Sequence, residues 1–190
     1  MKKINFCLIA LLLLMGCQQQ SNQKINEEAL TSDNKELMAL HGADQADRMA
    51  KDSIQPLINR DPQLVRERDA ERRKRVYELL DANLVKTGKD FENAAMIFQH
   101  GLDTTASSMA VQLMKTATEM DSTVNKWLLA AAIDRDLMWR KKPQIYGTQY
   151  LVAADNSLEL YQMDTTQISD QERIEHGVPV LSELLKQAEK

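Results

Sequence analysis

The chain has 190 residues, 27% of them charged, and its 24 Lys and Arg against 28 Asp and Glu give a formal net charge of −4. Nothing in that mildly acidic balance argues for nucleic acid or for an extended basic membrane face, and no nucleic-acid partner is expected. With only 6 Gly and 4 Pro, and many Ala, Leu, Met, Glu, Lys and Gln, helix is the expected dominant state.

Lys2 and Lys3 precede an apolar run from Ile4 to Met15, broken only by Asn5, and then Gly16-Cys17. A basic start, a short apolar stretch and a small residue before the cut make a secretory signal peptide; the run is shorter than the ~20 apolar residues a bilayer span needs. Leu14-Met15-Gly16-Cys17 has the form of a bacterial lipobox, in which the cysteine thiol is acylated with palmitate-type chains. The cysteine at the cut, with polar sequence directly after it, selects the lipoprotein over a plain signal peptide or an N-terminal membrane anchor. Acyl chains at ~0.8 kcal/mol per buried CH₂ then hold the protein to a membrane of the cell envelope, facing the periplasm or the exterior. Of the 2 cysteines, Cys7 is discarded and Cys17 is the lipidation site, so the mature domain has no disulfide and no thiol ligand. Losing residues 1–16 leaves 174 residues and, without Lys2 and Lys3, takes the charge from −4 to −6. Residues 17–30, with Gln18-Gln19-Gln20, read as a flexible tether, and residues 31–190 as one domain. A chain of that size buries about 70% of its unfolded surface.

The expected fold is mainly α, a single multi-helix domain with a small β-hairpin near residues 145–163. A first helix is expected over Asn34 to Lys51, with Leu37, Met38, Leu40 and Met49 as apolar contacts and a break or bend at Gly42. Asp44 and Arg48, at i and i+4 around Gln45, form a surface ion pair on this reading. Asp61-Pro62 opens a second helix to about Asn83, inward on Leu64, Val76, Leu79, Leu80 and Leu84. Its run Arg66-Glu67-Arg68-Asp69-Ala70-Glu71-Arg72-Arg73-Lys74-Arg75 mixes both signs at pairing distance and reads as a solvated face rather than a phosphate or lipid patch. Lys86-Thr87-Gly88-Lys89 is expected as a loop, Asp90 as the next cap, and Phe91, Ala94, Ala95 and Phe98 as that helix's core face. Gly101 closes it, leaving Gln99 and His100 in the last turn, where a protonated imidazole suits the helix dipole.

Asp103 opens a helix to about Met120, inward on Met109, Leu113, Met114, Ala117 and Met120, a Met stripe that reads as adaptable core. The fifth helix, Thr123 to about Lys141, carries an inward stripe of Val124, Trp127, Leu128, Ala131 and Met138. Helical spacing sets Asp134 and Arg135 into that stripe. A charge there costs several kcal/mol unless paired and hydrogen-bonded, so these two residues either make buried structural pairs or line a cleft. Pro143 ends the helix. Residues 145–153 and 157–163 flank the turn-forming Ala154-Asp155-Asn156 as a hairpin. Ser169 with Glu172 caps a short helix, and a terminal helix from Pro179 to about Ala188 faces inward on Val180, Leu181, Leu184 and Leu185.

The set Asp44-Gln45, Arg48, Ala94 to Gly101, Trp127-Leu128, Asp134-Arg135 and Gln144-Ile145-Tyr146-Gly147-Thr148-Gln149 resembles a bacterial family of unknown function. Its members, often secreted or lipid-anchored, share QHG, DR and YGTQ signatures. The resemblance covers roughly residues 36–185 and implies a shared polar cluster of Asp44, Gln45, Arg48, Gln99, His100, Asp134, Arg135, Gln144, Tyr146, Gly147, Thr148 and Gln149. It carries no activity with it.

Two readings of the cluster stand. In one, it is a structural polar core of an envelope binding or scaffold protein, whose partner is a protein or a small polar ligand. In the other, it is an enzyme or ligand pocket. There His100 is the candidate acid/base, Arg135 holds a carboxylate or phosphate, Asp134 orients His100 or Arg135, and Gln144, Thr148 and Gln149 supply neutral hydrogen bonds. Gly147 lets the backbone turn tightly or approach a ligand closely. No nucleophile motif, P-loop or HExxH is present, and the context of His41 and His176 gives no metal site and no expected cofactor.

Overall fold

The computed structural model describes residues 32–48 and 61–188. The signal peptide, Cys17, the tether and Met49 lie outside the described residues. The fold is mainly helical with one small antiparallel hairpin, as expected.

Helix α1 spans Lys35–Ala46, with Asn34 as N-cap accepting from the Leu37 amide at 3.0 Å. It runs straight through the exposed Gly42, so the expected break does not occur. Leu37 is buried while Met38 faces solvent. Helix α2, Pro62–Asp81, begins at the expected Asp61 cap and Pro62. Val76 and Leu79 enter the core, whereas Leu64 and Leu84 are exposed, contrary to the stripe read from sequence.

Helix α3, Gly88–Gln99, starts two residues before the expected Asp90 cap, because Thr87 is the cap. Its hydroxyl accepts from the Asp90 amide at 3.0 Å, and the Asp90 carboxylate accepts in return from the Thr87 amide, a reciprocal capping box. Fully buried Asp90 also accepts from the Asn34 amide at 2.7 Å, tying the starts of α1 and α3 together. Ala94, Ala95, Ile97 and Phe98 fill the core. Gly101 follows the helix, but not in the left-handed conformation. A Cβ there would stand 2.1 Å from the Ala106 Cβ, so glycine is set by close packing against the next helix.

That helix, α4, is Thr104–Met120 with Asp103 as N-cap; Leu113, Met114 and Ala117 are core, and Met120 is exposed. Helix α5, Lys126–Trp139, is shorter than expected because Asn125 caps it. Trp127 is correspondingly exposed rather than inward. After Pro143 come strands β1, Tyr150–Val152, and β2, Leu158–Leu160, paired antiparallel with Tyr150 opposite Leu160. Helix α6, Asp170–Glu175, is capped by Ser169, and α7 is Leu181–Ala188, inward on Leu184 with Leu185 exposed.

Helices α3, α4 and α5 make the main packed layer, with α1 and α2 against α3. The contact Asp44–His100 and the Asn34–Asp90 bond place α1 parallel to α3, and Gln99 reaches Ala131 in α5. The C-terminal turns of α1, α3 and α5 therefore gather at one end. No helix among the described residues is long and apolar enough to cross a membrane.

Candidate functional site

Asp134 and Arg135 divide the polar residues into two groups. Asp134 is fully buried, and its carboxylate collects the turn that follows the helix. Oδ1 accepts from the amides of Ile145 at 2.8 Å and Tyr146 at 2.9 Å. Oδ2 accepts from the Thr148 amide at 2.9 Å and the Thr148 hydroxyl at 2.8 Å. Four donors thus replace the carboxylate's hydration, as burial of a charge requires.

The rest of the turn is equally saturated. Buried Gln144 donates through Nε2 to the carbonyls of Gln149 at 3.0 Å and Tyr161 at 2.9 Å, while its Oε1 accepts from the Gln149 amide. Gln149 donates to the Thr148 hydroxyl at 3.1 Å and lies 3.4 Å from the Ala131 carbonyl. Tyr146 is buried and donates to Glu172 at 2.8 Å; burial first, then the Glu172 carboxylate, pushes its phenol well above the ordinary range. Gly147 has φ +78°, and a Cβ there would meet Leu184 of α7 at 2.2 Å, so this glycine serves the turn and its packing rather than close approach to a ligand.

Arg173, 1% exposed, completes the clamp. It donates to the carbonyls of Pro179 at 2.7 Å, Ile145 at 3.3 Å and Tyr146 at 2.8 Å. Sequence reading missed it: one Arg in a six-residue helix carries no periodic signal of burial. Neither Asp134 nor Gln144, Tyr146 and Thr148 is left with a free group for catalysis, and Asp134 orients neither His100 nor Arg135.

The second group sits where α1, α3 and α5 end. Asp44 is fully buried, which corrects the surface-pair reading of Asp44 and Arg48. Its carboxylate accepts from Arg48 at 2.9 Å, from Gln45 at 2.9 Å and from His100 Nδ1 at 3.0–3.1 Å. Asp44, not Asp134, therefore orients the imidazole. Arg48 continues to Asp69 at 2.6 Å, Arg72 joins Asp69 at 2.9 Å and also Asp47, and Arg68 joins Asp47 at 2.8 and 2.9 Å. Asp69 and Arg72 are buried, so the charged run of α2 is not a solvated face throughout. It faces α1 at i, i+3 spacing. Burial works against the Asp47 charge, but the two guanidiniums outweigh it and hold the carboxyl below its usual range. His41 packs in the same region, and burial lowers its affinity for a proton.

Arg135 enters this group from α5, and the Arg48 guanidinium lies close enough to repel it. Burial is the larger influence lowering its pKa. Its Nε is buried without a hydrogen-bond partner, and among the described residues no carboxylate stands within ion-pair distance of it. Gln99, beside His100, donates to the Ala131 carbonyl at 3.1 Å, one helical turn before Arg135. That carbonyl is where the two groups meet, since Gln149 approaches it from the clamp. No group of three or more His, Cys, Asp or Glu side chains among the described residues is placed to hold a metal ion.

The model of a family of unknown function, DUF6624, matches residues 10–190. The chain belongs to that family. No curated protein and no solved structure matches it.

If the clamp is structural, Asp134→Ala leaves buried amides unpaired and costs about 3 kcal/mol or more. At roughly 2–4 °C per kcal/mol for a domain of this size, the melting temperature falls by roughly 6–12 °C. Calorimetry checks this; a variant melting within about 2 °C of the wild type contradicts the structural role.

Proposed function

We propose that the protein is a lipid-anchored binding module of the bacterial cell envelope, and that it takes a small carboxylate at Arg135. The observation that carries the ligand reading is the missing counter-ion. Among the described residues Asp44, Asp47 and Asp69 pair with Arg48, Arg68 and Arg72, and no described carboxylate stands within ion-pair distance of Arg135. A half-buried guanidinium held beside a second one is destabilised until an anion arrives. One uncompensated charge matches a monoanion, and the guanidinium fork fits a carboxylate with two parallel hydrogen bonds.

Two tests follow from the separate parts of this reading. Replacing sodium chloride by sodium acetate at equal ionic strength raises the wild-type melting temperature. At ten times Kd, the gain of about 1.4 kcal/mol corresponds to roughly 3–6 °C. Arg135→Gln melts at or above the wild type without acetate, because a desolvated charge has been removed, and it loses the acetate response. An Arg135→Gln variant that keeps the response, or that loses several degrees of stability in chloride, refutes the ligand site.

The anchor rests on the Leu14-Met15-Gly16-Cys17 sequence. Expressed in a bacterium, the wild type partitions with membranes and Cys17→Ser is recovered in the soluble fraction; equal partitioning of the two refutes lipidation.

A further inference from the structure

We propose a second binding site, for a neutral sugar ring, in the cleft between the first turn of α5 and the end of α6; it does not involve Arg135. The cleft holds about 360 Å³ of open space, with Asn125, Lys126 and Trp127 on one wall and Ile174, Glu175 and His176 on the other. That volume lies in the lower part of the range of small-molecule sites, roughly 300–1,000 Å³. The two walls are held close. A Cβ on Gly177 would stand 3.9 Å from the Trp127 Cβ, and the next residue, Val178, packs in one apolar cluster with Ala130 of α5.

Two kinds of surface meet in this cleft. Trp127 is 41% exposed and Ile174 58% exposed, so an indole and an aliphatic side chain offer apolar area to a ligand. Beside them stand hydrogen-bonding groups without a partner among the described residues: the Lys126 ammonium, the Asn125 amide nitrogen and one Glu175 oxygen. The other oxygen of Glu175 accepts from Gln171, and Asn125 Oδ1 caps α5. His176 Nδ1 lies 3.0 Å from the Glu172 carbonyl, which only accepts, and the ring packs against Tyr146 with centroids 4.8 Å apart. Nε2 is left over, an acceptor in the neutral ring and a donor in the charged one. A hydroxyl both donates and accepts, so it matches Nε2 in either state, and it matches the donors of Lys126 and Asn125 and the acceptor of Glu175 alike. A charged ligand meets a like charge here together with an opposite one, both exposed to solvent, where a pair contributes little. A pyranose with its hydroxyls around the ring presents C–H faces to the indole and hydroxyls to the polar groups.

The experiment titrates the folded protein with methyl β-glucoside, glycerol, glucosamine and glucuronate, and follows the indole N–H resonances of Trp127 and Trp139 by NMR. The glucoside is expected to bind with a Kd on the order of 1 mM, shifting the Trp127 resonance and leaving that of Trp139 in place. Glycerol, which has hydroxyls and no ring face, binds at least about 10-fold more weakly. Glucosamine and glucuronate bind within about 3-fold of the glucoside. Trp127→Ala, at an exposed position, weakens glucoside binding about 10-fold, while Arg135→Gln leaves it unchanged. A motionless Trp127 resonance at saturating glucoside overturns the proposal, as does glycerol binding as tightly as the glucoside. So does either charged sugar binding about 10-fold tighter, or a folded Trp127→Ala with unchanged affinity. If Trp127→Ala does not fold, the wild-type resonances decide. Cellotetraose then separates the two sources of such a ring: a glycan chain is the ligand if the tetramer binds at least as well, a free sugar if it is excluded.

Discussion

A single buried carboxylate holds the second half of this protein to the first. Asp134 projects from α5 into a turn whose amides of Ile145, Tyr146 and Thr148 all point at it. The opposite side of the same turn presents carbonyls of Ile145 and Tyr146 to Arg173. The backbone between Pro143 and Gln149 is thus held between an anion on its donor side and a cation on its acceptor side. Neither charge makes an ion pair with the other in the ordinary sense. Each is instead solvated by peptide groups, which is how a protein keeps an isolated charge in a dry place without neutralising it. Helices α6 and α7 reach the bundle through Arg173, Tyr146 and the Gly147–Leu184 contact, together with the packing of Val178 in one apolar cluster with Ala130.

The neighbour of Asp134 behaves in the opposite way, and helix geometry explains why. Successive residues on a helix point about 100° apart. Rotating from Asp134 to Arg135 moves the side chain from the face covered by the turn to the side on which Arg48 lies. There the described carboxylates already have partners. Asp44, Asp47 and Asp69 are held by arginines from α1 and α2, and Asp44 by His100 as well. Arg135 therefore meets no carboxylate within ion-pair distance among the described residues, and its Nε stays without a hydrogen-bond partner there.

Much of this was readable before the structure. The helices, the caps at Asp61, Asp103 and Ser169, and the hairpin followed from periodicity and capping chemistry. The question raised by Asp134-Arg135 was also legible, because two charges in an apolar stripe demand partners. What a linear pattern lacks is the identity of the partner in space. Asp44–Arg48 looked like a surface pair since i, i+4 spacing is the same on wet and dry faces. The α2 run looked solvated since its charges were self-complementary, and only the packing of α1 shows that Asp69 and Arg72 are covered. His100 was singled out by its place at a helix end, but the carboxylate that orients it comes from 56 residues away. Trp127, Leu64 and Met120 were placed inward by spacing and lie outside, each near a helix end where the core no longer reaches, while Leu185 turns outward beside the buried Leu184.

The ion network also bears on how well such a site binds. A flexible arginine or histidine loses rotamer freedom when a ligand fixes it, at about 0.5–1.5 kcal/mol for each side chain. His100 is already pinned by Asp44, and Arg48 by Asp44 and Asp69. Asp69 is pinned in turn by Arg72, and Arg72 by Asp47. The chain of pairs running from α1 into α2 thus fixes Arg48 and His100 in place. Arg135, partly buried and without a described carboxylate at ion-pair distance, has less freedom to lose than an exposed arginine. The salt bridges contribute less as stabilising contacts in their own right than as a frame: buried pairs roughly offset their own desolvation, but they hold α1 against α2 and pin His100 to Asp44.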